Sequence, residues 1–240
     1  MTTPAASPLK FKLRCLVDLQ LATIARFLRP AMAELPPGTI LDVGAGRARW
    51  RGWLPPGSRY QGVDIASAGD FGSSARQDIV FYDGTTLPFA DGSFEGALCI
   101  EVLEHAEHPQ RLLRETARVL KPGATLLLTV PWSARRHHIP HDYHRFTREQ
   151  LQAMLSAAGF IDIDIRERGD DIAAIANKLV VVTIRLFTSI SLRNFIVTVP
   201  LTVVFGGVGV LMLLAAYVSP ALAFGAPEDP LGYACRTRKG

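Results

Sequence analysis

Six short apolar runs recur between residues 39 and 168, and helical or turn-rich segments separate them. The runs are "TILDVG", "YQGVDI", "DIVFYDG", "GALCIEV", "PGATLLLTVP" and "FIDIDIRER". Each has the length of a strand, and the segment before the fifth, "PQRLLRETARVLK", carries apolar residues at helical spacing. Strands that alternate with helices predict an α/β protein with an open, doubly wound and mostly parallel sheet.

The sequence divides into four segments. Residues 1–34 carry an amphipathic helix, predicted over 9–34, and residues 35–170 form the predicted sheet domain. Residues 171–227 form an apolar helical insert, and residues 228–240 contain "LGYACRTRK", a short apolar run that leads into a basic tail. This last run predicts a seventh strand, so the chain has to return to the sheet after the insert.

The insert contains a run without a charged residue or histidine, from Asn194 to Pro227. That length is enough to cross a bilayer, for which about 20 apolar residues suffice. A single crossing would leave the seventh strand on the opposite side of the membrane from the rest of the sheet. Three arrangements of the insert therefore remain. They are two spanning helices, a shallow hairpin split at Gly206 and Gly207 into arms of about 18 Å, and a helical pair buried on the protein or on a second copy.

Residues 171–193 favour the shallow hairpin at a membrane. Lys178, Arg185 and Arg193 fall close to one helical face, and an apolar face lies beside them. A basic amphipathic helix suits the surface of an anionic membrane. We therefore expect a peripheral or monotopic protein on the cytoplasmic face of a membrane, and a homodimer formed through the insert is the alternative.

Composition excludes some classes of partner. The formal net charge is +4, and no basic stripe is interleaved with aromatic residues, so nucleic acid is not expected as a partner. The three cysteines, Cys15, Cys99 and Cys235, form no CxxC pair and are expected to be reduced thiols. The N-terminus lacks a continuous apolar stretch of the signal-peptide type, which favours the cytoplasm.

The candidate binding residues follow the predicted strands. Ligands of open α/β sheets bind at the carboxyl ends of the strands. The residues at those ends are Asp42, Gly44, Ala45 and Gly46 after the first strand, Asp64 after the second, Asp83 and Gly84 after the third, and Glu101 and His105 after the fourth. Glycines allow a close approach of backbone to ligand, and the acids can accept hydrogen bonds from ribose hydroxyls and a purine amine. Together they predict an adenosine site.

A nicotinamide-dependent oxidoreductase is the competing interpretation of this pattern. The dinucleotide fingerprint requires a third small residue at position 49. The chain has Arg49 there, which argues against NAD.

Several motifs in order resemble the class I S-adenosylmethionine-dependent methyltransferases. They are "ILDVGAGRARW", "GVDI", "FYDGTTLPFADGSFEGALCIEVLEHAEHPQRLLRETARVLKPGATLLLTVPW" and "HDYHRFT". The nearest branch is the small-molecule group that includes the ubiquinone/menaquinone methyltransferases. The resemblance runs from about Leu35 to Phe160 and implies a seven-stranded sheet whose antiparallel last strand lies beside the fifth.

The resemblance implies S-adenosylmethionine as cofactor and gives the strand-end residues their roles. Asp42, Gly44, Ala45 and Gly46 match the loop that holds the methionine end. Asp64 matches the ribose-binding acid, Asp83 with Gly84 matches the adenine edge, and Glu101 lines the cofactor and acceptor side. The family often has glycine where Ala48 stands and aspartate where Glu95 stands, and we expect only mild structural effects from both.

The acceptor side is defined less sharply by the sequence. His105 and His144 are the candidate bases, and Tyr143 and Arg145 are the candidate acceptor contacts. A backbone-bonded His105 and a salt bridge of Arg145 within its loop are the structural alternatives. Pro140 interrupts the histidine-rich loop and no Cys pair accompanies it, so we expect no metal. The predicted function is methyl transfer to a small or lipid-linked acceptor, and a non-catalytic membrane scaffold is the alternative.

Overall fold

The computed structural model describes residues 8–65, 78–191 and 193–240. They form two compact units, one of Ala25–Arg166 and Tyr233–Gly240 and the other of Met1–Ile24 and Glu167–Gly232. The first, called the sheet unit below, contains nearly all of a β-sheet, and the second, the hairpin unit, contains two long helices. Residues 1–7 of the predicted N-terminal segment lie outside the described residues.

The sheet has seven strands in the spatial order β3-β2-β1-β4-β5-β7-β6. The strands are Thr39–Val43 (β1), Arg59–Ile65 (β2), Ile79–Tyr82 (β3), Phe94–Ile100 (β4), Leu120–Pro131 (β5), Phe160–Arg168 (β6) and Gly232–Lys239 (β7). The sheet is mostly parallel and β7 is antiparallel, inserted between β5 and β6. The predicted fold class and the predicted place of the last strand are confirmed.

The central strands are apolar on both faces because helices cover both sides of such a sheet. Ile40 of β1 pairs with Tyr60 of β2 on one side and with Gly96 of β4 on the other. Leu126 of β5, which pairs with Ala97 of β4, is fully buried. Strand order reverses at β1, so the carboxyl ends of β1 and β4 flank the crevice where a ligand is expected.

Within the described residues, six α-helices accompany the strands. They are Pro8–Val17 (α1), Leu19–Ala33 (α2), Pro109–Val119 (α3), Arg148–Ala157 (α4), Asp171–Thr188 (α5) and Phe195–Leu222 (α6). Thr147 caps α4 as its sequence predicts, because its hydroxyl accepts a hydrogen bond from the backbone N–H of Gln150 at 3.2 Å. A short 3-10 turn at Leu103–His105 follows β4.

The single N-terminal helix predicted over 9–34 is wrong, since two helices occupy this segment. Asp18 separates them, and its carboxylate accepts a hydrogen bond from the backbone N–H of Leu21 at 3.0 Å. A short acid satisfies an otherwise unpaired N–H at a helix start, so it favours a new helix over a continuous one.

The hairpin predicted to break at Gly206 and Gly207 is also wrong. α6 runs through both glycines as one helix of 28 residues, about 42 Å long at 1.5 Å per residue. Two glycines cost about 1 kcal/mol each within a helix, but a helix keeps every backbone group paired where apolar surroundings offer no partner. A Cβ on Gly206 would lie 3.4 Å from Thr183 Cγ2, so the glycine also allows α5 to pack closely.

The turn of the hairpin lies instead between α5 and α6. Both helices belong to the hairpin unit and pack along each other. Their distant ends meet, because the backbone N–H of Asp171 donates to the carbonyl of Ala226 at 3.0 Å. Within the described residues, α6 is the one helix that is long and apolar enough to cross a membrane, with a mean hydropathy of 2.3.

Candidate active site

A cleft of about 740 Å³ opens at the carboxyl ends of the first four strands. Most of the residues predicted for the site line it. These are Gly44, Gly46, Asp64, Asp83, Gly84, Glu101, His105 and Tyr143. They come from separate segments of the sequence, and the parallel strands bring them to one edge of the sheet.

The loop after β1 is shaped by two glycines in the left-handed region, Gly44 with φ +68° and Gly46 with φ +51°. A Cβ on Gly44 would collide with the side chain of Val102, so only glycine fits there. The backbone N–H of Gly46 donates to Asp64 Oδ2 at 2.8 Å. The acid at the end of β2 therefore holds the glycine loop as well as facing the cleft.

Asp64 is largely buried, and its second oxygen accepts from the backbone N–H of Ile65 at 2.9 Å. A carboxylate oxygen has two lone pairs and can accept more than one hydrogen bond. An acid at the end of the second strand is the group that accepts from ribose hydroxyls in nucleotide-binding α/β folds.

Asp83 is oriented by the residues that follow it. Its carboxylate accepts from the backbone N–H of Thr85 at 2.8 Å and from the Thr85 hydroxyl at 2.6 Å. These hydrogen bonds lower the pKa of Asp83 below its ordinary value, so the group is an anion near neutral pH. Gly84, with φ +80°, completes the tight turn.

Glu101 directly follows β4 and has φ +55°, a conformation that a non-glycine residue rarely adopts. Its backbone N–H still donates to the carbonyl of Thr129 at 3.0 Å, which fixes the position in the sheet. Strained backbone of this kind is concentrated at binding sites, because the surrounding structure has to impose it. The strain turns the chain from the strand into the cleft wall.

Two predicted site residues lie behind the cleft rather than on it. Asp42 is buried, and its Oδ2 accepts a hydrogen bond from the Tyr60 hydroxyl at 2.7 Å. Burial raises the pKa of Asp42 to about 7, and the hydrogen bond from Tyr60 opposes that rise. Ala45 is buried too, and a Cβ on Gly62 would lie 2.9 Å from its methyl group. Both residues support the loop from within.

His105 lies in the 3-10 turn that follows β4 and contacts the loop after β5. Its Nδ1 lies 2.5 Å from the carbonyl oxygen of His141, and its Nε2 lies 3.1 Å from Nε2 of His137. A carbonyl only accepts, so His105 donates through Nδ1 and keeps the Nε2 lone pair when neutral. Burial lowers the pKa of His105, which favours the neutral ring.

The other residues predicted for the acceptor side are distributed around that loop. Tyr143 lines the cleft, and its hydroxyl donates to Glu107 Oε1 at 3.1 Å. His144 does not line the cleft, and its Nε2 lies 3.1 Å from the Ala106 carbonyl. Arg145 forms a bidentate ion pair with Asp142, in which the two guanidinium nitrogens lie 2.6 and 2.9 Å from the two carboxylate oxygens. This pair fixes the loop.

The cleft also contains residues that sequence reasoning did not select. His138 and His141 from the loop after β5 and Arg111 of α3 contribute to its wall. The histidines are visible in the sequence as part of a His-rich loop. Their approach to His105, which lies 32 or more residues earlier in the chain, becomes visible only when β4 and β5 are placed side by side.

Comparison with known proteins supports the resemblance to methyltransferases that the sequence motifs indicate. The profile of a family described as "Methyltransferase domain" matches residues 41–128. An uncharacterized methyltransferase of Mycobacterium sp. (strain JLS) is 35% identical over 119 residues, which are 48% of this chain and 47% of the relative. The chain thus spans about half the length of the curated relatives that it matches first.

Solved structures with the same fold cover most of the chain. A SAM-dependent methyltransferase from Archaeoglobus fulgidus aligns over 96% of this chain and 99% of its own, with a TM-score of 0.54 and 16% identity. The [4+2]-cyclase SpnF aligns over 92% and 82%, with a TM-score of 0.57 and 23% identity. At these identities the alignments show the fold alone.

The sheet order, the glycine loop and the acids at the strand ends agree with the adenosine site that the sequence predicts. Residues 41–128 match the methyltransferase-domain family, and the relatives that the chain resembles are described as methyltransferases. The predicted resemblance to the methyltransferases is confirmed, and the ubiquinone/menaquinone branch stays a prediction.

Proposed function

We propose that the protein binds S-adenosylmethionine in the cleft and transfers its methyl group to a small acceptor. The observation that carries this proposal is the placement of Asp64 and Asp83 at one edge of the cleft beside the glycine loop. Asp64 accepts from the ribose hydroxyls, Asp83 with Gly84 receives the adenine edge, and Glu101 borders the methionine end.

The acceptor lies on the side of His105 and Tyr143 in this proposal. Methyl transfer from a sulfonium is an in-line displacement, so the main task of the protein is to align acceptor and methyl group. His105 is the candidate base, because its Nε2 carries the lone pair and the residue lines the cleft. His144, whose Nε2 faces the Ala106 carbonyl, acts in this proposal as a positioning residue.

Calorimetry with S-adenosylhomocysteine tests the cofactor site. We expect Asp64→Ala to weaken binding at least about 100-fold, since two hydrogen bonds to a charged acceptor contribute about 1.5–3 kcal/mol each. The matched control is Asp164→Ala on β6, an exposed acid paired with Arg166, which should leave binding unchanged. Unaltered binding in Asp64→Ala would overturn the ribose assignment, and binding of NADH would favour an oxidoreductase.

The fold by itself does not establish methyl transfer, since a [4+2]-cyclase shares it. A scaffold without activity is therefore the second candidate. The decisive measurement is transfer of radiolabelled methyl groups from S-adenosylmethionine to an extract of membrane lipids and small metabolites. Cofactor binding without label transfer in either fraction would favour the scaffold.

We further propose that the α5–α6 hairpin places the protein on a membrane and that its acceptor is lipid-linked or membrane-bound. α6 exposes apolar side chains around its circumference, including Ile196, Val203 and Leu211. A helix that is apolar all round requires burial or lipid, whereas an amphipathic helix can lie at a surface. Of the most apolar 18-residue stretch of α6, only 11% is buried within the part of the chain that the structure describes.

The joined ends of the hairpin agree with insertion from one side, whereas its cations lie along α5 and in the turn. Lys178 and Arg185, seven residues apart, are exposed on α5, and Arg193 lies in the turn before α6. Long basic side chains can extend to the headgroups while their stems stay in the apolar layer. The meeting of Asp171 with Ala226 places both ends of the hairpin together, as a chain that enters and leaves on one side requires.

Flotation of the full chain with liposomes of anionic and zwitterionic lipid tests the attachment. We expect flotation with both, stronger with anionic lipid, and only partial release by high salt, because salt screens the cations and not the apolar contact. A cysteine at Ser191, in a Cys15→Ser background, reports the depth of the turn. A compact dimer that stays in the soluble fraction would overturn the membrane proposal and identify the hairpin as a subunit interface.

A further inference from the structure

Three imidazole rings converge at the wall of the cleft. His105 comes from the turn after β4, and His137 and His138 come from the loop after β5. One nitrogen from each ring can be chosen so that all three lie within 4.8 Å of one another. The adjacency of β4 and β5 brings these segments together.

The hydrogen bonds of two rings leave their Nε2 atoms as electron-pair donors. His105 Nδ1 lies 2.5 Å from the carbonyl oxygen of His141. His137 Nδ1 lies 3.2 Å from the carbonyl of Arg135 and 3.4 Å from Asp142 Oδ2. These oxygens can only accept, so both rings donate through Nδ1. A ring whose other nitrogen donates to a carbonyl or carboxylate is the usual arrangement of a metal-ligating histidine.

The two Nε2 atoms face each other at 3.1 Å. Two lone pairs at this distance repel unless a cation lies between them. Two nitrogen ligands of one tetrahedral zinc ion, each about 2.05 Å from the metal, are about 3.3 Å apart. A shared proton would also fit between two nitrogens, but it engages only those two, whereas a metal ion engages the third ring as well.

A buried carboxylate stands next to the same two rings. The side chain of Glu104 is fully buried, with Oε1 3.7 Å from His105 Nε2 and 4.0 Å from His137 Nε2. A cation held between the rings would balance its negative charge. His138, at φ +51°, is held in a conformation that non-glycine residues seldom adopt, and this directs a third imidazole to the cluster.

We propose that His105, His137 and His138, assisted by Glu104, bind a divalent transition-metal ion of the zinc type. Three imidazole nitrogens are a donor set that zinc prefers, and they leave a fourth position open. Glu104 lies beside the rings and balances the charge of the ion without filling that position. This inference departs from the expectation, drawn from Pro140 and the lack of a Cys pair, that the chain binds no metal.

The role of the ion rests on the proposed methyl transfer, in which His105 would then be a ligand of the ion instead of the base. His105 and His138 line the cleft, so the open position faces the acceptor. The ion would bind a hydroxyl oxygen and lower its pKa. The hydroxyl proton leaves to water, an oxygen electron pair forms the bond to the methyl carbon, and the electrons of the sulfur–methyl bond remain on sulfur. The acceptor class that follows is an alcohol or a phenol, methylated on oxygen.

Zinc binding to the full chain, stripped with a chelator and titrated with Zn²⁺ by calorimetry, tests the site. We expect one equivalent of zinc, and an affinity at least about 100-fold lower in His137→Ala. His138→Asn, a change at an exposed position, should weaken binding too. His144→Gln is the control and should bind normally, since His144 lies outside the cluster and glutamine can still donate to the Ala106 carbonyl.

Two results would overturn the metal site. One is the lack of stoichiometric zinc in the unaltered protein, which would favour a shared proton between His105 and His137. The other is normal zinc binding in both His137→Ala and His138→Asn. S-adenosylhomocysteine binding measured on the same samples separates the proposals. Zinc binding without cofactor binding would sink the proposed function and leave the metal site standing.

Discussion

The sheet unit and the hairpin unit use the same apolar residue types in opposite ways. Leu41, Leu98 and Leu126 of the sheet are fully buried. Leu211 and Leu222 of α6 are each 67% exposed, and Ile196 is 75% exposed. The first set stabilises its unit by leaving water, while the second set remains in contact with whatever surrounds the protein.

The difference teaches that burial within a chain and apolar character are separate properties. The sheet unit has a large contiguous core built from strands and helices. The core of the hairpin unit is small and consists mainly of alanines of α5 with Leu19, Ala216 and Leu231. An exposed apolar surface as large as that of α6 usually marks a partner or a membrane.

The largest effect is expected from charges placed in α6. Val203→Lys with Leu211→Lys should abolish flotation with vesicles, because a central lysine costs about 2.5–3.5 kcal/mol on insertion scales. The two lysines together should therefore lower the partitioning of the protein from water into vesicles by more than about 1,000-fold. Flotation and cofactor binding are measured on the same preparation, since the sheet unit should be unaffected.

A matched lysine in the sheet unit serves as control. Ile161 of β6 is apolar and 49% exposed, and Ile161→Lys should leave flotation unchanged. Equal loss in both variants would mean that general charge, and not insertion of α6, governs attachment.

A pair of leucines compares the two environments directly. Leu126→Ala should destabilise the sheet unit by about 2–5 kcal/mol, through the lost transfer energy and the cavity left behind. Leu211→Ala should change stability without lipid by no more than about 0.5 kcal/mol. Thermal unfolding in lipid-free buffer measures both. A large loss in Leu211→Ala would show that α6 is covered in solution, as in a dimer.

The sheet was predictable because local signals and tertiary environment agree in it. Buried parallel strands are continuous apolar runs, and "TILDVG" and "PGATLLLTVP" form β1 and β5 as predicted. Thr147 predicts the start of α4, and "LGYACRTRK" predicts β7. In such segments composition, period and boundary residues all favour one conformation.

The hairpin was not predictable to the same extent, since its boundaries depend on packing. For a helix surrounded by water, Gly206 and Gly207 would predict a break. α6 nevertheless continues through both glycines, alongside Thr183 of α5. The actual turn lies before Asn194, whose side chain accepts from the Ser191 backbone N–H at 2.8 Å. Glycine and proline are weak guides where apolar surroundings enforce the helical hydrogen bonds.

The site was predictable where residues follow strand ends and obscure where loops meet. Asp64 and Asp83 stand beside the cleft because strand direction places them there. The approach of His137 to His105 depends on how two loops fold, which no spacing in the sequence records. Asp42 looked like a ligand-binding acid, but it faces Tyr60, a partner from the neighbouring strand.

The buried Asp42 allows a pH-dependent test inside the sheet unit. Its pKa is raised from 3.8 to about 7, so the folded state binds a proton that the unfolded state releases. The stabilisation is therefore complete below pH 4 and declines as pH rises through 7. Relative to Asp42→Asn, the unaltered protein should lose about 2 kcal/mol between pH 5 and pH 7.

Urea unfolding at several pH values measures the Asp42 effect. Tyr60→Phe removes the hydrogen bond that opposes the rise in pKa, so it should move the decline to higher pH. A constant difference between the unaltered protein and Asp42→Asn across this range would refute the raised pKa.

The smallest effects are expected at the helix caps, one in each unit. Thr147→Ala removes one cap bond in the sheet unit and should cost about 1 kcal/mol. Asp170→Ala should cost the hairpin unit about 2 kcal/mol, because Asp170 caps Ala173 at 2.8 Å and also accepts from the Ser219 hydroxyl of α6. Ser219→Ala removes only the hydrogen bond from the Ser219 hydroxyl to Asp170, so it should cost the hairpin unit about 1 kcal/mol. Hydrogen exchange of α4 and α5 amides reports each cap separately, and equal losses in Asp170→Ala and Thr147→Ala would mean that Ser219 adds nothing to the hairpin.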